Sequence, residues 1–126
     1  MELKNPLPIS NIGDPYVLYC HGRYYLYATS HFNGFYCWRS DDMVIWEEPK
    51  VCYRATEKSF GNSCFWAPEV YEFGGRFYMY YTAQWKRYEE ESLRIGVAVS
   101  EDPMGPFEDI LDQTPMFDFG YGALDA

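Results

Sequence analysis

At 126 residues the chain suits one domain of ordinary size, and its net charge of −9 removes the basic surface that nucleic-acid binding requires and offers nothing to an anionic membrane. Tyr, Phe and Trp make up 21% of the residues, which favours strands, because aromatic rings fit a pleated, half-buried surface. No apolar run reaches the roughly 18 residues that a membrane-spanning helix needs, so the composition fits a soluble protein with a neutral ligand.

The start, Met1-Glu2-Leu3-Lys4-Asn5-Pro6, lacks the layout of a signal peptide. It points to a cytoplasmic protein, with secretion left open because a cleaved leader would leave the same start. The first strand is expected at Tyr16 to Cys20 and the second at Arg23 to Ser30, joined by a tight turn at His21-Gly22. A third follows at Phe35 to Arg39 and a fourth at Trp46 to Tyr53, with Ser40-Asp41-Asp42 as the turn between them. The four cysteines, Cys20, Cys37, Cys52 and Cys64, form no Cys-x-x-Cys pair, and only two His accompany them. No zinc site is expected, and no residue is assigned to a metal. Cys20 and Cys37 sit in apolar strand-like runs and read as buried free thiols.

The pattern then repeats. Pro15-Tyr16-Val17 and Gly22 to Thr29 recur, at an offset of 53, as Pro68-Glu69-Val70 and Gly75 to Thr82. Ser40-Asp41-Asp42 returns as Ser100-Glu101-Asp102 at an offset of 60, which locates an insertion in the polar stretch Gln84 to Ser92. Strands seven and eight are expected at Arg94 to Val99 and near Phe107 to Leu111. Four-strand units of 50 to 60 residues are typical of β-propellers. A sandwich is the alternative, but it does not call for whole four-strand units to recur. The expected class is all-β, with blade one over 14–66, blade two over 67–124 and a third blade opening at Asp125-Ala126. A propeller needs about four blades to close. Two blades therefore predict a truncated propeller that self-associates through open blade edges.

Residues that open the innermost strand of each blade converge on a propeller's central axis. By the repeat these are Asp14, Ala67 and Asp125. Two acidic groups at such equivalent places are costly unless paired or functional. Gly13-Asp14-Pro15 also reads as a simple turn, and Asp125 as an unstructured end.

The runs Gly13 to Val17, Tyr24 to Ser30, Ser40 to Trp46, Phe65-Trp66-Ala67-Pro68-Glu69-Val70, Gly75 to Tyr81, Ile95 to Ser100, Gly105-Pro106-Phe107 and Leu124-Asp125-Ala126 together resemble glycoside hydrolase family 43. Within that family the likeness is to β-xylosidases, α-L-arabinofuranosidases and arabinanases, and it covers nearly the whole chain. The resemblance implies a five-bladed propeller. It also implies inverting hydrolysis of O-glycosidic bonds in arabinose- or xylose-containing oligosaccharides and polysaccharides. By motif match Asp14 is similar to the general base and Asp125 to the auxiliary aspartate that orients the acid and raises its pKa. The general acid is a Glu that no residue here matches. Inversion places base and acid roughly 6.5–9.5 Å apart with water between. Trp66 resembles an aromatic wall of the sugar subsite, and Phe32 a second wall, both with core packing as the plain alternative. His31 reads as a ligand hydrogen-bonder or a loop residue. Glu69 is a candidate for the missing acid, but its repeat partner is Tyr16, inside a strand, which favours a structural or rim role. No cofactor is implied as required, although calcium occurs in the intact family fold.

Three readings stand side by side: an enzyme fragment without turnover of its own, a non-catalytic carbohydrate-binding piece, and an assembly module. A propeller phosphorylase is a neighbouring enzyme reading that phosphate dependence would mark.

Overall fold

The computed structural model describes residues 7–125. Met1 to Pro6, on which the reading of the chain's start rests, and Ala126, at the expected opening of a third blade, lie outside them. Two four-stranded antiparallel sheets follow one another, each in simple meander order. The first holds β1 (Gly13–Cys20), β2 (Arg23–Thr29), β3 (Gly34–Ser40) and β4 (Lys50–Arg54). The second holds β5 (Gly61–Phe73), β6 (Arg76–Trp85), β7 (Leu93–Ser100) and β8 (Glu108–Asp109). No helix occurs among the described residues, so none is long and apolar enough to cross a membrane.

The first hairpin turns where the sequence asks for it. His21 and Gly22 both take positive φ, 50° and 76°, as do Gly74 and Gly75 at the matching turn, 57° and 78°. This is the mirror-image two-residue turn whose twist matches flanking strands. It pairs Cys20 with Arg23 and Phe73 with Arg76.

Several boundaries differ from expectation, three of them with a visible cause. β4 starts at Lys50 rather than Trp46: Pro49 just before it has no amide hydrogen for a ladder, and upstream the Asp42 carboxylate accepts the amides of Val44 and Ile45 (2.8 and 2.9 Å) while the Ser40 hydroxyl donates to the Ile45 carbonyl (2.5 Å). Backbone groups used in that turn cannot join a ladder. β8 is shorter than Phe107 to Leu111, since the Phe107 amide donates instead to the Cys52 carbonyl of the first sheet (2.8 Å). β5 begins at Gly61, ahead of the blade opening expected at Ala67. Its extra residues pair with the outer end of β6, Gly61 with Trp85 and Ser63 with Gln84. The insertion therefore lengthens a hairpin, with Gln84 and Trp85 inside β6.

The sheets stack face to face. Tyr25, Tyr27, Phe35, Cys37 and Tyr53 of the first sheet share one core with Phe65, Val70, Phe77, Met79, Tyr81 and Ala98 of the second. On the opposite side of the first sheet, Leu26, Ala28 and Trp38 pack beneath Leu7, Ile9 and Ile12. Adjacent propeller blades stack in this way. Cys20, Cys37 and Cys52 are buried free thiols, and Cys64 is a partly exposed one. Burial is the main cause that pushes the Cys52 thiol up to about 12.

A polar hub lies inside this interface. The Asp109 carboxylate accepts hydroxyl hydrogens from Tyr53 (2.9 Å), Ser59 (2.6 Å) and Tyr81 (2.5 Å). Tyr53 comes from β4, Tyr81 from β6 and Asp109 from β8, so the hub ties both sheets together. Burial first, then the negative Asp109, drives the Tyr53 phenol well above its usual range. The Tyr81 phenol rises by burial first, then by its Tyr53 and Asp109 neighbours. Asp109 itself is partly buried, and the three donors compensate its carboxylate for the water it loses.

Candidate functional site

The openings of β1 and β5 and the segment ending at Asp125 meet in one depression of about 240 Å³, lined by Asp14, Tyr16, Ala67, Pro68, Glu69 and Asp125 among others. Asp14 and Asp125, 111 positions apart in sequence, thus share a wall. The volume falls short of the roughly 300–1,000 Å³ of complete ligand pockets, so this is part of a pocket. A larger depression, about 380 Å³, lies at the far end of the second sheet, among Arg76, Glu101, Asp102 and Glu108. It is a groove between charged turn residues, remote from the converging strand openings.

The backbone at the three openings is the same. Asp14, Ala67 and Asp125 have φ of 47°, 47° and 58°, a left-handed conformation that costs a non-glycine residue energy. Ala67 adopts it with no side-chain hydrogen bond to help. The conformation therefore belongs to the way each blade opens and not to a carboxylate.

The openings at Ala67 and Asp125 are each latched by a threonine of the preceding blade. The Ala67 amide donates to Thr29 Oγ1 (2.9 Å), and the Thr29 hydroxyl donates to Asp14 Oδ2 (2.9 Å). The Asp125 amide donates to Thr82 Oγ1 (2.9 Å) in the same manner. Thr29 and Thr82 end the matching parts of β2 and β6. The first latch thereby fixes one oxygen of the Asp14 carboxylate and leaves the other open to the depression. Neither threonine is marked as functional by the sequence, although the repeat of Tyr-Ala-Thr and Tyr-Tyr-Thr carries them.

Glu69 also lines the depression. The Tyr71 hydroxyl donates to its carboxylate at 2.6 Å. That bond is the first cause that pushes the Tyr71 phenol up to about 12, with burial second.

Trp66, Phe32 and His31 do not line the depression. Trp66, next to Ala67 on β5, is 36% exposed, and Phe32, in the β2–β3 turn, is 80% exposed. Neither packs in the core, so the plain alternative fails for both. Phe32 stacks on His31 with ring centroids 4.6 Å apart. His31 Nδ1 accepts the Asn33 amide (3.2 Å), which puts the hydrogen of a neutral ring on Nε2, as an available donor.

The approach to Asp125 is held by Arg94, which is 4% exposed. Its guanidinium donates to Asp118 (3.0 and 3.1 Å) and lies 5.6 Å from the centre of the Trp85 ring. The Asp118 carboxyl is held below its ordinary range by the Gly120 amide first and by Arg94 after it.

Among the described residues, no cluster of three or more Asp and Glu side chains suited to calcium occurs. Calcium takes six to eight hard oxygen donors. Among the described residues, the one group of three potential ligands is Cys20, His21 and Glu72, far from the depression, and only one of its donors is an oxygen. No calcium-dependent step is assigned.

The family model for glycosyl hydrolases family 43 matches residues 3–126. A thermostable family-43 glycoside hydrolase of known structure is 44% identical, with a TM-score of 0.86 over 96% of this chain and 38% of its own. An endo-arabinase from Bacteroides thetaiotaomicron is 27% identical, with a TM-score of 0.81 over 94% of this chain and 42% of its own. An endo-1,4-beta-xylanase from the same organism is 38% identical, with a TM-score of 0.71 over 85% of this chain and 35% of its own. The chain therefore spans less than half the length of each. A search of curated proteins found no match.

Proposed function

Because the chain belongs to glycosyl hydrolases family 43, we propose that it carries the base-side half of an inverting glycosidase site for arabinose- or xylose-containing saccharides. The observation that carries this reading is the shared depression of Asp14 and Asp125. Asp14 acts as general base. Its free oxygen takes a proton from water, and the resulting hydroxide attacks the anomeric carbon as the bond to the leaving oxygen breaks. A carboxylic acid on the other face of the sugar supplies the proton that the leaving oxygen needs. No residue of this chain matches that acid, and Asp125 is the auxiliary carboxylate that keeps it protonated by like-charge repulsion. Thr29 is a positioning residue for Asp14. Trp66 and Phe32 offer exposed ring faces for sugar C–H groups, and His31 Nε2 offers a donor. Endo-arabinase and endo-1,4-beta-xylanase relatives support the two sugar classes.

The chain is expected to show no turnover of nitrophenyl arabinofuranoside or xyloside, because proton donation has no donor. Turnover that Asp14→Ala abolishes would overturn the missing-acid assignment. The exposed rings of Phe32 and Trp66 favour one second reading, a carbohydrate-binding piece without chemistry. Calorimetry with xylo- and arabino-oligosaccharides separates the two. Binding that survives loss of both Asp14 and Asp125 but not of Trp66 selects the second.

A further inference from the structure

We propose that Cys20, His21 and Glu72 form a site for a zinc-class divalent cation that staples the β1–β2 turn of the first sheet to β5 of the second. Cys20 is the last residue of β1, His21 begins the turn, and Glu72 lies one residue from the end of β5. Their sulfur, imidazole nitrogen and carboxylate oxygen all lie within 4.8 Å of one another. His21 Nε2 and Glu72 Oε1 are 3.6 Å apart. Two ligands bonded at roughly 2.0–2.2 Å to one tetrahedral zinc stand about 3.4 Å apart, so this pair is already near coordination spacing. Rotation of the two solvent-facing side chains, His21 and Glu72, brings them onto the more fixed sulfur of Cys20, which is 7% exposed.

The donor types select the ion. One thiolate, one imidazole and one carboxylate suit zinc and its borderline-soft neighbours, whereas calcium and magnesium require oxygen shells. Three protein ligands leave the fourth position to water on the exposed side. On binding, the S–H bond of Cys20 breaks, its proton passes to solvent and the sulfur electron pair goes to the metal. A thiolate and a carboxylate then balance the charge of the dication. The other hairpin serves as an internal control. The counterpart of His21 is Gly74, at φ 57°, and Phe73 replaces Cys20. At the first turn a histidine occupies a left-handed position at φ 50° that glycine fills more cheaply.

Titration of the reduced 126-residue chain with cobalt(II), and displacement by zinc, tests the site. One equivalent of cobalt should give the near-ultraviolet charge-transfer band of a cobalt–thiolate bond. The band should vanish in Cys20→Ser and persist in Cys64→Ser. His21→Asn and Glu72→Gln change exposed side chains, and asparagine tolerates positive φ. They should weaken zinc by about tenfold or more, since loss of even an outer-shell partner costs 10–100-fold. Zinc should raise the Tm of the parent chain and leave that of His21→Asn unchanged. Circular dichroism establishes that each variant is folded, and should Cys20→Ser unfold, the His21 and Glu72 variants decide. Absence of a thiolate band in the folded chain overturns the proposal. So does a band that Cys64→Ser removes, or zinc affinity indifferent to both His21 and Glu72.

Discussion

Tyr27 of the first sheet and Tyr80 of the second hold the same repeat position, yet Tyr27 is fully buried and Tyr80 only partly. Every sheet of the series has a face turned to its successor. In the first, Tyr25 and Tyr27 meet Phe77, Met79 and Tyr81 across the interface. In the second, Tyr78 and Tyr80 occupy that face, and no described sheet covers it. The backward faces differ as well. Leu26 and Ala28 rest under the segment with Leu7 and Ile9, whereas their counterparts Met79 and Tyr81 reach back into the first sheet. The exchange of Ala28 for Tyr81 fills the interface and adds a hydroxyl to the Asp109 hub. Repetition of sequence copies strands and turns, while burial is set by a blade's place in the series.

The contrast breaks or sharpens most with paired substitutions. Tyr27→Ala removes a ring from a closed interface, along with its hydrogen bond to the Pro103 carbonyl (2.6 Å). It should cost about 3–5 kcal/mol. Tyr80→Ala, at the same repeat position, should cost about 1 kcal/mol, because a half-buried ring gains less from burial and leaves no closed cavity. Urea unfolding of the two variants measures the difference, and equal losses would mean that the second sheet's forward face is covered in solution. Next in size is the hub. Tyr81→Phe leaves Asp109 one donor short and should cost about 1–3 kcal/mol, while Tyr80→Phe should be nearly neutral in the same assay. The smallest effect compares the two latches. Thr29→Val and Thr82→Val should each cost about 1 kcal/mol and speed hydrogen exchange at the amide they release, Ala67 in one and Asp125 in the other. Only Thr29→Val also frees Asp14, so in an active parent enzyme it alone should lower kcat with KM little changed.

Much of this was legible without coordinates. The offset of 53, the two hairpin turns and the alternation of aromatic residues all arise from neighbours within a few positions. Local chemistry decides them: glycine at positive φ, and a side-chain period of two along a strand. What misled was also local. Trp46 looks like a strand residue, but it follows a turn in which the Asp42 carboxylate takes the amides of Val44 and Ile45, and Pro49 after it has no amide hydrogen to give a ladder.

By itself the sequence determined that this is an all-β repeat protein and which acidic residues stand at the repeat-equivalent positions. Only the tertiary structure decided that Thr29 joins Asp14 to Ala67, that Glu69 shares their depression, that Phe32 and Trp66 lie outside the core, and that Cys20, His21 and Glu72 come together. The reason is separation along the chain. A strand is fixed by its own residues, but a hydrogen bond between positions 29 and 67, or a cluster of 20, 21 and 72, exists only once two sheets have packed face to face.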